Sequence, residues 1–234
     1  MHQDSTNLPA RIIKNFQEGK RKFVSLYQIY GLRGTLERIW KNVILIETVC
    51  RLDKDVALPD PFVEPKIPLD MEIYSKGFDL NNWAGKKEIL ELRGQHGLEQ
   101  FAKRFNRGDL CFAAYSNGNF VGFIWIEFPP VTEAGYSLKT NEAYTYDGWT
   151  FEAFRGNRTM PVIQQAIINH VRKNRPDIQN IVTHVATWNK ASLSGDQKAG
   201  YIISRLERTI VVFGIHKKQI LDKKIPPELI MHQR

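Results

Sequence analysis

Asn189–Tyr201 reads NKASLSGDQKAGY and follows directly on IVTHVATW at 181–188. The β-branched run predicts a buried strand, and Asn189 is a residue type that stops a strand and caps a helix. KASLSGDQKAG then predicts a short helix closed by Gly200. The question is what a strand gains by ending in Asn, with Ser three residues on and Lys-x-Gly-Tyr behind.

Upstream, residues 142–167 read EAYTYDGWTFEAFRGNRTMPVIQQAI. A strand leads through RGNRT into a helix that carries Pro161 in its first turn, where the missing N–H is not needed. Such a helix start offers free N–H donors and the positive end of the dipole, a setting for phosphate oxygens. Arg155 and Arg158 add full charges beside Gly156, Asn157 and Thr159.

The rest of the chain fits around these two elements. MEIYS predicts a short strand, and Ile89, Leu90 and Leu92, then Leu98, Phe101, Ala102 and Phe105, mark two helical segments. LCFAAY and FVGFIWIEF are strands joined by SNGN, a tight hairpin turn. IISRLERTIVVFGI supplies at least one closing strand. The fold class is α/β (α+β): a mixed sheet covered by helices.

Before residue 66, Phe23, Leu26, Tyr27 and Tyr30, then Leu32, Leu36, Ile39, Trp40 and Val43, predict two short amphipathic helices. A strand follows over ILIETVCRL, and LPDPFVEPKIP, with four prolines in eleven residues, reads as a linker. The expected organisation is an extension with linker over 1–65, a main domain over 66–218 and a tail over 219–234.

Net charge is +8, and residues 1–54 hold ten Lys or Arg against five Asp or Glu. That asymmetry suits either an anionic partner (membrane surface, nucleic acid or a phosphorylated substrate) or a solvated basic face. Mean hydropathy is −0.37, and no apolar run approaches membrane-spanning length. The N-terminus shows no secretory pattern, so a cytoplasmic location is expected. Cys50 and Cys111 lie in apolar runs without CxxC or His neighbours, which predicts buried thiols and neither a disulfide nor a metal site. His170 and His184, without spaced partners, read as structural.

Strand, RGNRT, helix, strand, and then Asn189, Ser192, Lys198, Gly200 and Tyr201 at their spacing resemble the GNAT superfamily of acetyl-CoA-dependent N-acetyltransferases, over about residues 66–218. The resemblance implies a mostly antiparallel central sheet with a V-shaped splay between two adjacent strands, into which the pantetheine arm of acetyl-CoA inserts. It implies that RGNRT (Arg155, Gly156, Asn157, Arg158, Thr159) holds the pyrophosphate and that Asn189, Ser192 and Lys198 contact the carrier. Backbone N–H groups around Trp149 and Thr150 would meet the oxyanion. The sequence departs from the family's pattern in three places. Arg158 and Met160 stand where the turn has glycines, and Asp196 stands where many members have a tyrosine that protonates the departing thiolate.

Acetyl transfer needs a neutral amine, a group to take its proton and oxyanion stabilisation. Glu142 is the expected base, with Tyr144 beside it. By strand alternation both share a face with Tyr146, and Asp147 points to the other. Trp125, Tyr136, Tyr144 and Trp149 are available to line an acceptor pocket for an amino sugar, an amino acid or a protein amine. The expected function is N-acetylation of a primary amine. The alternatives are a degenerate CoA-binding or interaction module and an aminoacyl-tRNA-dependent transferase of similar fold. A dimer is left open.

Overall fold

The computed structural model describes residues 44–130, 138–212, 215–221 and 224–230. The two amphipathic helices expected before residue 44 and Tyr136 lie outside them. The chain divides into two compact units, one of Thr48–Glu207 with Ile220–Arg234, the other of Met1–Glu47 with Arg208–Gln219.

Eight strands form one sheet: β1 (Ile44–Asp55), β2 (Asp70–Tyr74), β3 (Leu110–Ser116), β4 (Asn119–Glu127), β5 (Glu142–Thr150), β6 (Asn180–Ala186), β7 (Ile202–Val212) and β8 (Ile215–Leu221). Their order is β2-β3-β4-β5-β6-β1-β7-β8. Three α-helices accompany them among the described residues: α1 (Lys86–Arg107), α2 (Thr159–Asn174) and α3 (Lys190–Lys198). The strand expected over ILIETVCRL is β1, which runs antiparallel to β6 with Val49 opposite Ala186 and Asp55 opposite Asn180. The segment expected to be an extension therefore gives the sheet a strand.

The two faces of the sheet carry different cores. Ile163, Ile167, Ile168 and Val171 of α2 pack with Phe112, Ala114, Ile124, Ile126, Ala143 and Ile181. Ile89, Leu98, Phe101 and Phe105 of α1 pack on the other face with Cys111, Ala113, Phe123 and Trp125. Alternate residues of β3 and β4 thus enter opposite cores, which is why both sequences are apolar without a break. Each fully buried Ile or Phe contributes about 1.5–3 kcal/mol. Trp125 is completely buried there, so it serves the core. Both cysteines are buried and free.

Local residues fix the bends. Asn117 and Gly118 take positive φ (48° and 76°) in the β3–β4 turn, the pair a primed hairpin turn demands. Gly94 (φ 64°) breaks α1 into the two expected segments.

Candidate functional site

β5 and β6 are parallel neighbours, but only Glu142↔Asn180, Ala143↔Ile181 and Tyr144↔Val182 pair. Beyond them the ladder stops. Thr183 Oγ1 donates to Thr145 O (3.1 Å) at the first unpaired step, and past it the strands part. This is the splayed pair that the sequence resemblance implies.

A β-bulge aims β5 into the gap. Phe123 faces Trp149 and Trp125 faces Tyr146, so Asp147 and Gly148 together oppose one residue of β4. Asp147 has φ 52°, a conformation that short polar residues adopt locally. The bulge cancels the expected alternation. Asp147 lies on the α1 side with Tyr146, because Arg93 binds it through Nη1 and Nη2 (both 2.6 Å). Arg104 also binds Asp147, and its guanidinium lies 4.9 Å from the Tyr146 ring centroid. Burial alone would raise the Asp147 carboxyl, but Arg93 and Arg104 outweigh it and hold the group below the usual carboxylate range.

Two cavities meet at the gap. The outer one, about 540 Å³, is lined by Trp149, Thr150, Arg155, Gly156, Arg158, Thr159, Asn189, Ser192 and Lys198, with Gly148, Met160, Pro161 and Gly195. It lies at the N-termini of both α2 and α3. Its lining has three cationic side chains and no carboxylate. Arg155 is steadied by Thr150 O (3.2 Å) and by the Trp149 ring at 5.4 Å, while Arg158 Nη1 donates to Glu64 O (3.2 Å). The inner cavity, about 270 Å³, is lined by Tyr144, Tyr146, Asp147, Thr183, His184, Gln164 and Asp196. Gly148, Met160, Asn189 and Ser192 line both, so they form the throat.

Of the residues expected from sequence, nine line the outer cavity and Tyr144 the inner one. Asn157 instead builds the turn: its Nδ2 donates to Phe154 O (3.1 Å) and its carbonyl accepts from Lys66 N (3.2 Å). Asn189 Oδ1 caps α3 by accepting from Ser192 N (3.2 Å). The cap uses the amide oxygen and not the NH₂ group. Phe151 N donates to Val121 O (3.0 Å). Since N–H groups alternate along a strand, Trp149 N–H shares that direction and Thr150 N–H turns towards the gap.

The structure separates Glu142 from this group. It sits at the zipped end of β5, where Arg51 Nη2 binds Oε1 (2.9 Å) and Lys139 N binds Oε2 (3.1 Å), and it lines neither cavity. The two missing glycines are also accounted for. Arg158 adopts the left-handed conformation itself, φ 60°. Met160 packs down on Gly148, where an added Cβ would come within 3.2 Å of Met160 Cε.

Sequence reasoning missed two groups. Asp196 is 4% exposed, accepts from Gln164 Nε2, and is pushed up to about 8 by burial. His184 has its Nε2 3.4 Å from Glu207 Oε2 of β7, and Arg205 Nε holds Glu207 Oε1 at 2.7 Å. Burial would raise the Glu207 carboxyl, yet His184 and Arg205 bring it down to about 2. Asp196 was visible only as a departure from the family's pattern, and the His184–Glu207 pair left no local signal.

Among the described residues no helix is long and apolar enough to cross a membrane, and no cluster of His, Cys, Asp or Glu could hold a metal ion. No protein-family model matches the sequence, and no curated protein matches it. Solved structures of similar fold include acetyltransferases of the GNAT class. One is a functionally unknown protein from Staphylococcus epidermidis (14% identity, TM-score 0.48, covering 77% of this chain and 67% of that one). Another is a tandem GNAT protein from the clavulanic acid biosynthesis pathway (14%, 0.49, 67% and 50%). A third is a GCN5-related N-acetyltransferase from Sphaerobacter thermophilus (10%, 0.46, 82% and 57%). The chain spans half to two thirds of the length of these proteins.

Proposed function

We propose that the chain is an acyltransferase that moves an acetyl group from acetyl-CoA to a primary amine. The observation that carries this reading is the carboxylate-free outer cavity, with Arg155, Arg158 and Lys198 around two helix N-termini, joined through a common throat to the gap between β5 and β6. A diphosphate matches the cations and the helix ends. An amide-bearing arm matches the gap, because it can pair with backbone groups that the parted strands leave, as an added strand does.

In this reading Asn189 and Ser192 meet the arm at the throat, and Thr150 N–H meets the oxygen of the thioester carbonyl as it gains charge. The amine attacks that carbon, the C–S bond breaks, and the sulfur needs a proton. Asp196, whose burial keeps it protonated to about pH 8, is the group at the inner cavity that can supply it.

Calorimetry with acetyl-CoA tests the reading. Micromolar to sub-millimolar binding is expected, weakened at least tenfold in Arg155→Ala and Lys198→Ala. Thiol release with glucosamine, free lysine and a lysine peptide then tests turnover. No heat at millimolar acetyl-CoA overturns the reading, and binding without turnover on any amine favours the interaction module.

A further inference from the structure

The proline-rich segment between β1 and β2 is tied down along its length. Residues 56–66 run beside α2 from its C-terminal end to its N-terminal end. Arg172 Nε donates to Val56 O (3.0 Å) and its Nη2 to Leu58 O (3.2 Å), and Asp60 binds both Arg172 (3.0 Å) and Lys54 (2.9 Å). Farther along, Gln165 Nε2 donates to Pro61 O, Arg158 Nη1 to Glu64 O (3.2 Å), and Lys66 N to Asn157 O (3.2 Å). Pro61 also lies against the end of α3, its Cδ 2.9 Å from where a Cβ on Gly200 would stand. The segment expected to be a linker is a strap.

The strap holds one aromatic ring outside the core. Phe62 is 89% exposed, although its neighbours are fixed, Pro61 at Gln165 and Gly200, and Glu64 at Arg158. Two residues of chain span at most about 7 Å, so the ring stands near Arg158. Gly200 on its other side comes two residues after Lys198. Arg158 and Lys198 both line the outer cavity, which places Phe62 at the rim of that cavity. The aromatic rings of the cavity wall are already engaged: Trp149 lies under Arg155 at 5.4 Å, and Phe154 packs against the α2 core. An open phenyl ring beside a cationic pocket offers a face to a nucleotide base, and a strap fixed beforehand needs little ordering to receive it.

We propose that Phe62 is the platform on which the adenine of the acyl carrier stacks. This rests on the acetyl-CoA reading above, in which Arg155, Arg158 and Lys198 meet the diphosphate. In CoA the base is separated from that diphosphate by one ribose, so a nucleoside leaving the cavity past Arg158 comes onto the strap. Arg158 couples the two subsites, since its guanidinium both lines the cavity and holds the Glu64 carbonyl.

The test is calorimetry of the full chain with acetyl-CoA and with S-acetyl-4′-phosphopantetheine, which keeps the thioester, the arm and one phosphate and lacks the nucleoside. Phe62→Ala is expected to weaken acetyl-CoA about 5- to 150-fold and to leave the adenine-free thioester within about twofold. Phe62→Leu, apolar but without a π face, is expected to weaken acetyl-CoA as well, and Phe62→Trp to restore it. Melting temperatures are expected to stay level, because the ring is exposed. Should Phe62→Ala melt early, or the adenine-free thioester bind too weakly to titrate, the contrast between Phe62→Leu and Phe62→Trp decides alone. An unchanged acetyl-CoA Kd in Phe62→Ala or Phe62→Leu overturns the assignment and leaves acetyl-CoA binding standing. An equal loss for both thioesters overturns it too, since the ring then serves the strap and not the base. A wild-type chain that binds no acetyl-CoA overturns both readings.

Discussion

Tyr144 and Val182 are the last residues that β5 and β6 pair through their backbones. One step on, a side chain replaces the ladder, with Thr183 Oγ1 donating to Thr145 O. Buried carbonyls without partners are costly, so a strand pair can part cheaply only where something else satisfies them. At the closed end that something is the Thr183 hydroxyl. The branch point is thus set by a residue type and not by a break in apolar sequence.

Thr183→Val keeps the shape and removes the donor. The Thr145 carbonyl loses its side-chain partner, and the expected loss is about 1–3 kcal/mol of unfolding free energy. Urea denaturation measures it, and Thr183→Ser is expected to recover most of it. Equal stability of the valine and wild-type proteins would show that the hydroxyl does not hold the branch point.

Arg158 presents the opposite balance. Its φ of 60° costs about 1–2 kcal/mol for a residue with a Cβ, and it opens α2 without a side-chain cap. Arg158→Gly is therefore expected to be as stable as wild type or up to about 1 kcal/mol more so, yet to bind acetyl-CoA at least tenfold more weakly. A stability gain with unchanged Kd would remove Arg158 from the proposed diphosphate site.

What was legible in the sequence follows from range. The β3–β4 hairpin, the start of α2 at Thr159 and the Asn189 cap of α3 depend on residues within a few positions of one another, and all three were readable. The bulge in β5 was half-readable, since Asp147-Gly148 is a turn-forming pair inside a strand. Strand alternation alone put Asp147 on the wrong face because one extra residue flips everything after it. Arg51 with Glu142 is 91 residues apart, and His184 meets Glu207 across strand β1. Such pairs depend on strand order, which local periodicity does not encode. For the same reason Glu142 looked like an available carboxylate and His184 like a histidine without a partner.

The Arg51–Glu142 pair separates structural from catalytic loss. Both side chains are buried, so Glu142→Gln leaves Arg51 with only Asp53 to offset it. The expected cost is about 1–3 kcal/mol, visible as a lower denaturation midpoint. The kcat per folded molecule is expected within about twofold of wild type. A hundredfold fall in kcat at unchanged stability would give Glu142 a role in the reaction.

Asp196 ties stability to pH in a direction opposite to that of most carboxylates. In the folded chain it keeps its proton to about pH 8, whereas the unfolded value is 3.8. Between those values unfolding releases a proton, so stability contributed at this position falls as pH rises, by about 1.4 kcal/mol per pH unit where the difference is a whole proton. Below the window both states are protonated and above it both are ionised, so the slope vanishes at either end. Asp196→Asn keeps the shape and a partner for Gln164 and has no proton to lose. Relative to wild type it is expected to gain stability steadily from about pH 5 to pH 7, as measured by urea midpoints at each pH. Parallel curves across that range would mean that Asp196 is already ionised in the folded chain, and the proton for the departing sulfur would have to come from elsewhere.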